Sequence, residues 1–123
     1  MIGCGQVGLA AVYAILNQNL CGMISMVDVN GEKLEGEVKD FQQGSVFLKK
    51  CAIEGSTNYD VTADSDLVIV TAGAAQKPGE SRLNLLGRNV SIIRSVIGEV
   101  LKYSPKAPIC IVANPCDIMA GKG

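Results

Sequence analysis

The sequence predicts an α/β fold, a parallel sheet covered by helices on both faces, on three observations. Short apolar runs alternate with longer stretches of helical periodicity. A glycine-rich turn joins the first run to the first helix. The clearest run, Leu67 to Ala72, is apolar without alternation, as strands buried on both faces are. A single domain is expected over residues 1–123, with no internal repeat, low-complexity segment or linker.

Met1 and Ile2 lead directly into Gly3, so the first strand is expected to be shortened. A helix follows from Gln6 to about Gln18, with Val7, Ala10, Ala11, Ala14 and Ile15 as its apolar stripe. Asn19 and Gly22 punctuate its end. Ile24 to Val29 reads as a buried strand. Asn30 can cap a second helix, from Gly31 to about Lys49, although Lys33 stands where a capping-box Glu would be. Its stripe is Leu34, Val38, Phe41, Ser45 and Leu48.

Ala52 to Glu54 reads as a short edge strand, and Ser56 to Asp60 as a turn. After the strand at Leu67–Ala72 comes a polar loop, Gly73 to Glu80. A long helix is expected from Ser81 to Tyr103, with Leu86, Val90, Ile93 and Ile97 at its core. A fifth strand, Ile109 to Ala113, stops at Asn114-Pro115, and a sixth is expected to be absent. A sheet cut short at its first strand implies marginal stability for the 123 residues alone.

Hydrophobic residues make up 48% and charged residues 19%, the balance of a packed globular chain. A net charge of −1 gives no basic field to attract nucleic acid or anionic lipid, so neither partner is expected. The apolar run Val7 to Leu16 has no preceding Lys or Arg and is too short to span a bilayer. Five cysteines and no His, with no C-x-x-C pair, speak against zinc. The cysteines are expected to be buried, reduced thiols in a cytoplasmic protein.

Gly3-Cys4-Gly5-Gln6-Val7-Gly8 matches G-x-G-x-x-G, set between a strand stub and a helix. Asp28 follows Gly8 by twenty residues, at the end of the next strand. That combination is the dinucleotide fingerprint of a Rossmann-type doubly wound sheet. Gly3 lets the chain turn out of the strand, Gly5 leaves room for a pyrophosphate, and Gly8 lets the helix pack on the sheet. The helix N-terminus offers free N–H groups to the phosphates. A carboxylate at Asp28 suits ribose hydroxyls and repels a 2′-phosphate, which favours NAD over NADP.

These segments, with Thr71-Ala-Gly-Ala74, Pro78-Gly-Glu-Ser-Arg-Leu83 and Ala113-Asn-Pro115, resemble the L-lactate dehydrogenases of the lactate/malate dehydrogenase family. The resemblance runs along essentially the whole chain. It implies an NAD-binding Rossmann domain, followed in the family by a substrate domain that these residues do not include. It implies interconversion of L-lactate and pyruvate, and a homo-oligomer, tetrameric in the family. Gly3, Gly5, Gln6, Val7, Gly8, Asp28, Thr71, Ala72, Gly73 and Asn114 are thereby expected at the cofactor. Arg82 corresponds to the mobile-loop arginine that polarises the substrate carbonyl. Gln76 corresponds to the residue that senses the substrate side chain, where malate enzymes carry an arginine. Asn114 is also expected to reach the substrate.

Some positions depart from the family pattern. No His is present to exchange a proton with the substrate hydroxyl. Ala75 stands where many members have an arginine facing the pyrophosphate, and Gln43 where many have a histidine at a subunit contact. A malate-type enzyme is the alternative within the class. A catalytically inactive interaction module, docking through the helix from Gly31 to Lys49, is the alternative outside it.

Overall fold

The computed structural model describes residues 1–44 and 51–112. Its elements are α1 (Gln6–Asn17), β1 (Met23–Val27), α2 (Gly31–Gly44), β2 (Ala52–Ser56), a short 3-10 helix (Tyr59–Thr62), β3 (Val68–Val70), α3 (Arg82–Tyr103) and β4 (Ile109–Ile111). All strand pairs are parallel. β1 pairs with β2, Met23 opposite Ala52 through Val27 opposite Ser56. β3 pairs with β4, Val68 opposite Ile109 through Val70 opposite Ile111. Ile2 bridges the two pairs, contacting Val27 on one side and Val70 on the other. The order across the molecule is therefore β2, β1, Ile2, β3, β4, and β2 lies at an edge of the described sheet.

Met1 to Gly3 form a three-residue ladder between those neighbours. The Val27 N–H donates to the Met1 carbonyl at 2.9 Å and the Gly3 N–H to the Val27 carbonyl at 2.8 Å. On the other side, the Ile2 N–H donates to Ile69 and the Thr71 N–H to Ile2, each at 2.8 Å. β1 is buried on both faces, as parallel strands under two helical layers must be. Ile24 and Met26 join a cluster with Val12, Leu16, Leu34, Val38 and Ile53. Val27 joins Ile2, Val68, Val70, Ile93, Val96 and Val100 in a second cluster. α1 and α2 thus pack on the first cluster, and α3 on the second.

Local signals end the elements where backbone groups need partners. Asn19 takes a left-handed conformation (φ 52°) just past α1. Its N–H donates to Leu16, and the Leu20 N–H to Ile15, so both last-turn carbonyls are satisfied. The Asn30 side chain accepts the Lys33 N–H at 3.1 Å and caps α2, so the cap forms without a reciprocal Glu. Ser81 caps α3 by accepting the Asn84 N–H at 3.1 Å.

Several expectations are corrected. The inward row of α1 is Gly8, Val12 and Leu16, not the stripe built on Val7, which is 58% exposed. Close packing at Gly8 fixes which face turns inward. β1 ends at Val27, and Val29 is 99% exposed, because the chain leaves the sheet at Asp28. β3 spans only Val68–Val70, with Leu67 more than half exposed. β2 continues to Ser56, and the next turn is the 3-10 helix. On α3, Val96 and Val100 are buried beside Ile93, while Leu86, Val90 and Ile97 are only partly covered. Cys4 alone of the described cysteines is buried; Cys21 and Cys110 are exposed and Cys51 is intermediate. Cys110 faces outward because β4 is covered incompletely among the described residues. Ser45, Leu48, Cys116, the strand end at Ala113 and the sixth-strand expectation lie outside the described residues.

Candidate functional site

The carboxyl ends of β1 and β3 and the turn from Gly3 to Gly8 meet at one edge of the sheet. Open α/β sheets bind ligands at such an edge. Each glycine of the turn answers a different geometric demand. Gly3 has φ +93°, and a Cβ there would meet the Ala72 backbone N at 2.6 Å. A Cβ on Gly8 would collide with the Gly3 carbonyl oxygen and stand 2.8 Å from Thr71 Oγ1. A Cβ on Gly5 would meet nothing within 4 Å, so that side of the backbone is open. The turn is thus closed on the sheet side and open at Gly5, a cradle that a side chain would fill.

α1 begins at Gln6 with Gly5 as its cap residue, no side-chain cap and no acidic residue in its first turn. Its first N–H groups have no partner within the helix and concentrate partial positive charge beside Gly5. Gln6 and Val7 are exposed there. That arrangement fits a pyrophosphate, the group the glycine motif implies.

Asp28 stands directly against the turn. Its Oδ2 accepts the Cys4 N–H at 2.6 Å and its Oδ1 the Asn30 N–H at 3.0 Å. Each oxygen keeps a further lone pair for a hydroxyl donor. Burial, with the Asp28 carboxylate adding to it, pushes the Cys4 thiol up to about 11. Cys4 therefore stays a neutral thiol, with Sγ 3.7 Å from the Val27 carbonyl. Thr71 closes the far side, its hydroxyl donating to the Gly3 carbonyl at 2.8 Å.

Gly3, Gly5, Gly8, Asp28, Thr71 and Ala72 are thus brought together. Gly73 continues from them, its position facing Asn89. Gln76 and Arg82 lie further along the following loop and are exposed. The Gln76 amide donates to the Glu80 carbonyl at 2.7 Å. Arg82 opens α3, and no ion pair holds it among the described residues. Asn114 lies outside the described residues.

Two features of the loop have no periodic signal in the sequence. Arg88 reaches back from α3 to grip Glu80 with two nitrogens, at 2.7 and 2.6 Å, and the Ala75 carbonyl at 3.1 Å. Its guanidinium, with the Lys77 N–H, holds the Glu80 carboxyl down at about 2. The buried Asn89 accepts the Ala74 N–H at 2.8 Å and fixes the start of the loop. A loop-to-helix pair eight residues apart carries no periodic signal; the only hint was two polar residues in succession on an otherwise amphipathic helix.

A family model described as the NAD binding domain of lactate/malate dehydrogenase matches residues 1–122. The chain belongs to that family. Among curated relatives it is similar to the L-lactate dehydrogenase A chain of Eleginops maclovinus, 51% identical over 119 residues. The L-lactate dehydrogenase A chains of Rhinogobiops nicholsii and Sphyraena idiastes are 50% and 49% identical over the same length. Each match covers 97% of this chain and 36% of the relative. The chain therefore spans about a third of the length of these relatives. As expected for this domain family, the cofactor is NAD. Among the described residues no cluster of His, Cys, Asp or Glu could hold a metal ion, and no helix is long and apolar enough to cross a membrane.

Proposed function

We propose that the chain is the cofactor-holding part of an L-lactate dehydrogenase-type oxidoreductase that interconverts L-lactate and pyruvate. The observation that carries this reading is the open cradle at Gly5, with the Asp28 carboxylate bonded to the same turn. NAD supplies the chemistry of hydride acceptance and return when it is bound.

The residues of the chain divide the remaining work. Gly5, Gln6 and Val7 present backbone N–H groups to the pyrophosphate. Gly3 and Gly8 keep the turn tight enough for that approach. Asp28 orients the adenosine ribose and excludes a 2′-phosphate. Thr71, Ala72 and Gly73 form the sheet-side wall, and Asn114 serves the nicotinamide side. Arg82, untied to any carboxylate among the described residues, stabilises negative charge growing on the substrate oxygen. Gln76 is neutral and suits a methyl-bearing substrate such as pyruvate better than a dicarboxylate. The loop from Gly73 to Arg82 closes over the bound pair and excludes water. The proton is exchanged by a group beyond these 123 residues, which contain no His.

The same reading includes a Rossmann sheet, a homo-oligomer of tetrameric type and a cytoplasmic setting. Ala75 in place of an arginine weakens the phosphate grip, and Gln43 alters the subunit contact. NADH oxidation by the enzyme carrying this segment is expected to be faster with pyruvate than with oxaloacetate. Preference for oxaloacetate overturns the assignment of Gln76. The 123 residues alone are expected to bind NADH without turnover.

A further inference from the structure

β1 and β2 begin side by side, and a cysteine stands just ahead of each. The register sets Met23 opposite Ala52, and the Ala52 N–H donates to the Gly22 carbonyl at 3.0 Å. Cys51 precedes that bond on one strand and Cys21 precedes it on the other. A Cβ on Gly22 would meet nothing within 4 Å, so this end of the strand pair is uncrowded. The two cysteines meet where β1 pairs with β2, on the side of β1 away from Ile2.

The two thiols are hydrogen-bonding neighbours. Cys51 has two acceptors in reach, the Cys21 sulfur and the Ala52 carbonyl at 3.7 Å. Burial first, and then the Cys21 thiol, push the Cys51 thiol up to about 11, so Cys51 keeps its proton at neutral pH. Cys51 also packs against the cluster that holds Ile24 and Ile53, which fixes the position of its sulfur. Neither thiol is buried.

We propose that Cys21 and Cys51 are a redox-modification site, a thiol pair that a peroxide converts to a reversible disulfide locking the start of β2 to β1. The Cys21 sulfur attacks one peroxide oxygen and the O–O bond breaks. The other oxygen leaves as water with the Cys21 proton, and Cys21 becomes a sulfenic acid. The Cys51 sulfur then attacks the Cys21 sulfur and the S–O bond breaks. The hydroxyl leaves as a second water with the proton of Cys51. Two thiols lose two electrons in total, and the peroxide gains them. Pairs of this kind in reducing compartments are transient and redox-sensing. The bond closes a loop that contains β1 and α2, and it fastens a strand whose one strand neighbour among the described residues is β1. The site is independent of the cofactor reading, since it lies at the end of β1 away from Asp28.

The test is oxidation of the reduced 123-residue chain by hydrogen peroxide, followed by alkylation and peptide mass mapping without reductant. A peptide joining Cys21 to Cys51 is expected, formed at a rate independent of protein concentration and removed by dithiothreitol. In the oxidised chain, hydrogen exchange at the Ala52 amide is expected to slow by about tenfold or more, with the thermal midpoint raised by several degrees. Cys51→Ser is expected to accumulate a sulfenic acid at Cys21 that dimedone traps, whereas the unaltered chain passes on to the disulfide. Cys21 and Cys51 that both stay open to alkylation while peroxide consumes Cys110 overturn the proposal. Disulfides formed only between chains, or only with another cysteine, overturn it too. A Cys21–Cys51 bond that leaves exchange at Ala52 unchanged overturns the lock on β2.

Discussion

The Asp28 carboxylate and the Cys4 backbone N–H are joined by a 2.6 Å hydrogen bond that ties the end of β1 to the glycine turn. One side chain therefore both shapes the turn and stands where a ribose is recognised. Replacing it separates those roles. Asp28→Asn keeps an acceptor for Cys4 but removes the charge that repels a 2′-phosphate. The preference for NADH over NADPH, read by fluorescence titration, is expected to fall by about tenfold, the size of one charge-assisted hydrogen bond. An unchanged ratio would place the discrimination elsewhere.

Gly5 and Gly8 respond oppositely to the same substitution. Gly8→Ala forces a Cβ into the Gly3 carbonyl and the Thr71 hydroxyl. It is expected to cost about 1–3 kcal/mol of stability, the usual penalty of overpacking. Gly5→Ala meets no atom within 4 Å. It is expected to leave stability within about 0.5 kcal/mol while weakening NADH binding. Urea denaturation beside NADH titration checks both, and equal destabilisation by the two changes would contradict the geometry.

Legibility in the sequence followed how directly a residue type is imposed by backbone geometry. Gly3 and Gly8 could be read because no other residue fits their positions. Asn30 could be read because a cap is a local device. The inward face of α1 is not legible because its alanines provide little contrast, and contact at Gly8 selects the face. The ends of β1 and β3 are not legible because apolar sequence continues past the point where the chain leaves the sheet, as at Val29. Asn89 and Arg88 look like surface polar residues until the loop folds back on α3. The general preference of cysteine for burial fails at turns and thinly covered strands, where Cys21 and Cys110 are exposed.

The Glu80–Arg88 grip makes the loop pH-sensitive in a defined direction. The folded-state pKa of Glu80, about 2, lies below its ordinary value of 4.5. Its contribution is therefore present above about pH 4.5 and lost as pH falls toward 2. The Lys77 N–H donates to Glu80 Oε2 at 2.9 Å and reports on the grip. Glu80→Gln is expected to speed hydrogen exchange at Lys77 by several-fold at neutral pH, with core amides unaffected. No change would show that the loop is held by something other than this pair.

Thiol chemistry gives an independent check on the turn. Cys4 is buried with its thiol raised to about 11, whereas Cys21 and Cys110 are exposed. Alkylation near pH 8, mapped by mass spectrometry, is expected to label Cys21 and Cys110 about a hundredfold faster than Cys4. Rapid labelling of Cys4 would mean that the turn is open in solution.

The most direct test of the central claim is calorimetric titration of the 123-residue chain with NADH and with NADPH. Saturable binding of one NADH per chain is expected, weakened by Gly5→Ala and at least about tenfold tighter than NADPH. A folded chain that binds neither nucleotide, or binds both alike, would contradict the assignment of the glycine turn and Asp28 as an NAD site.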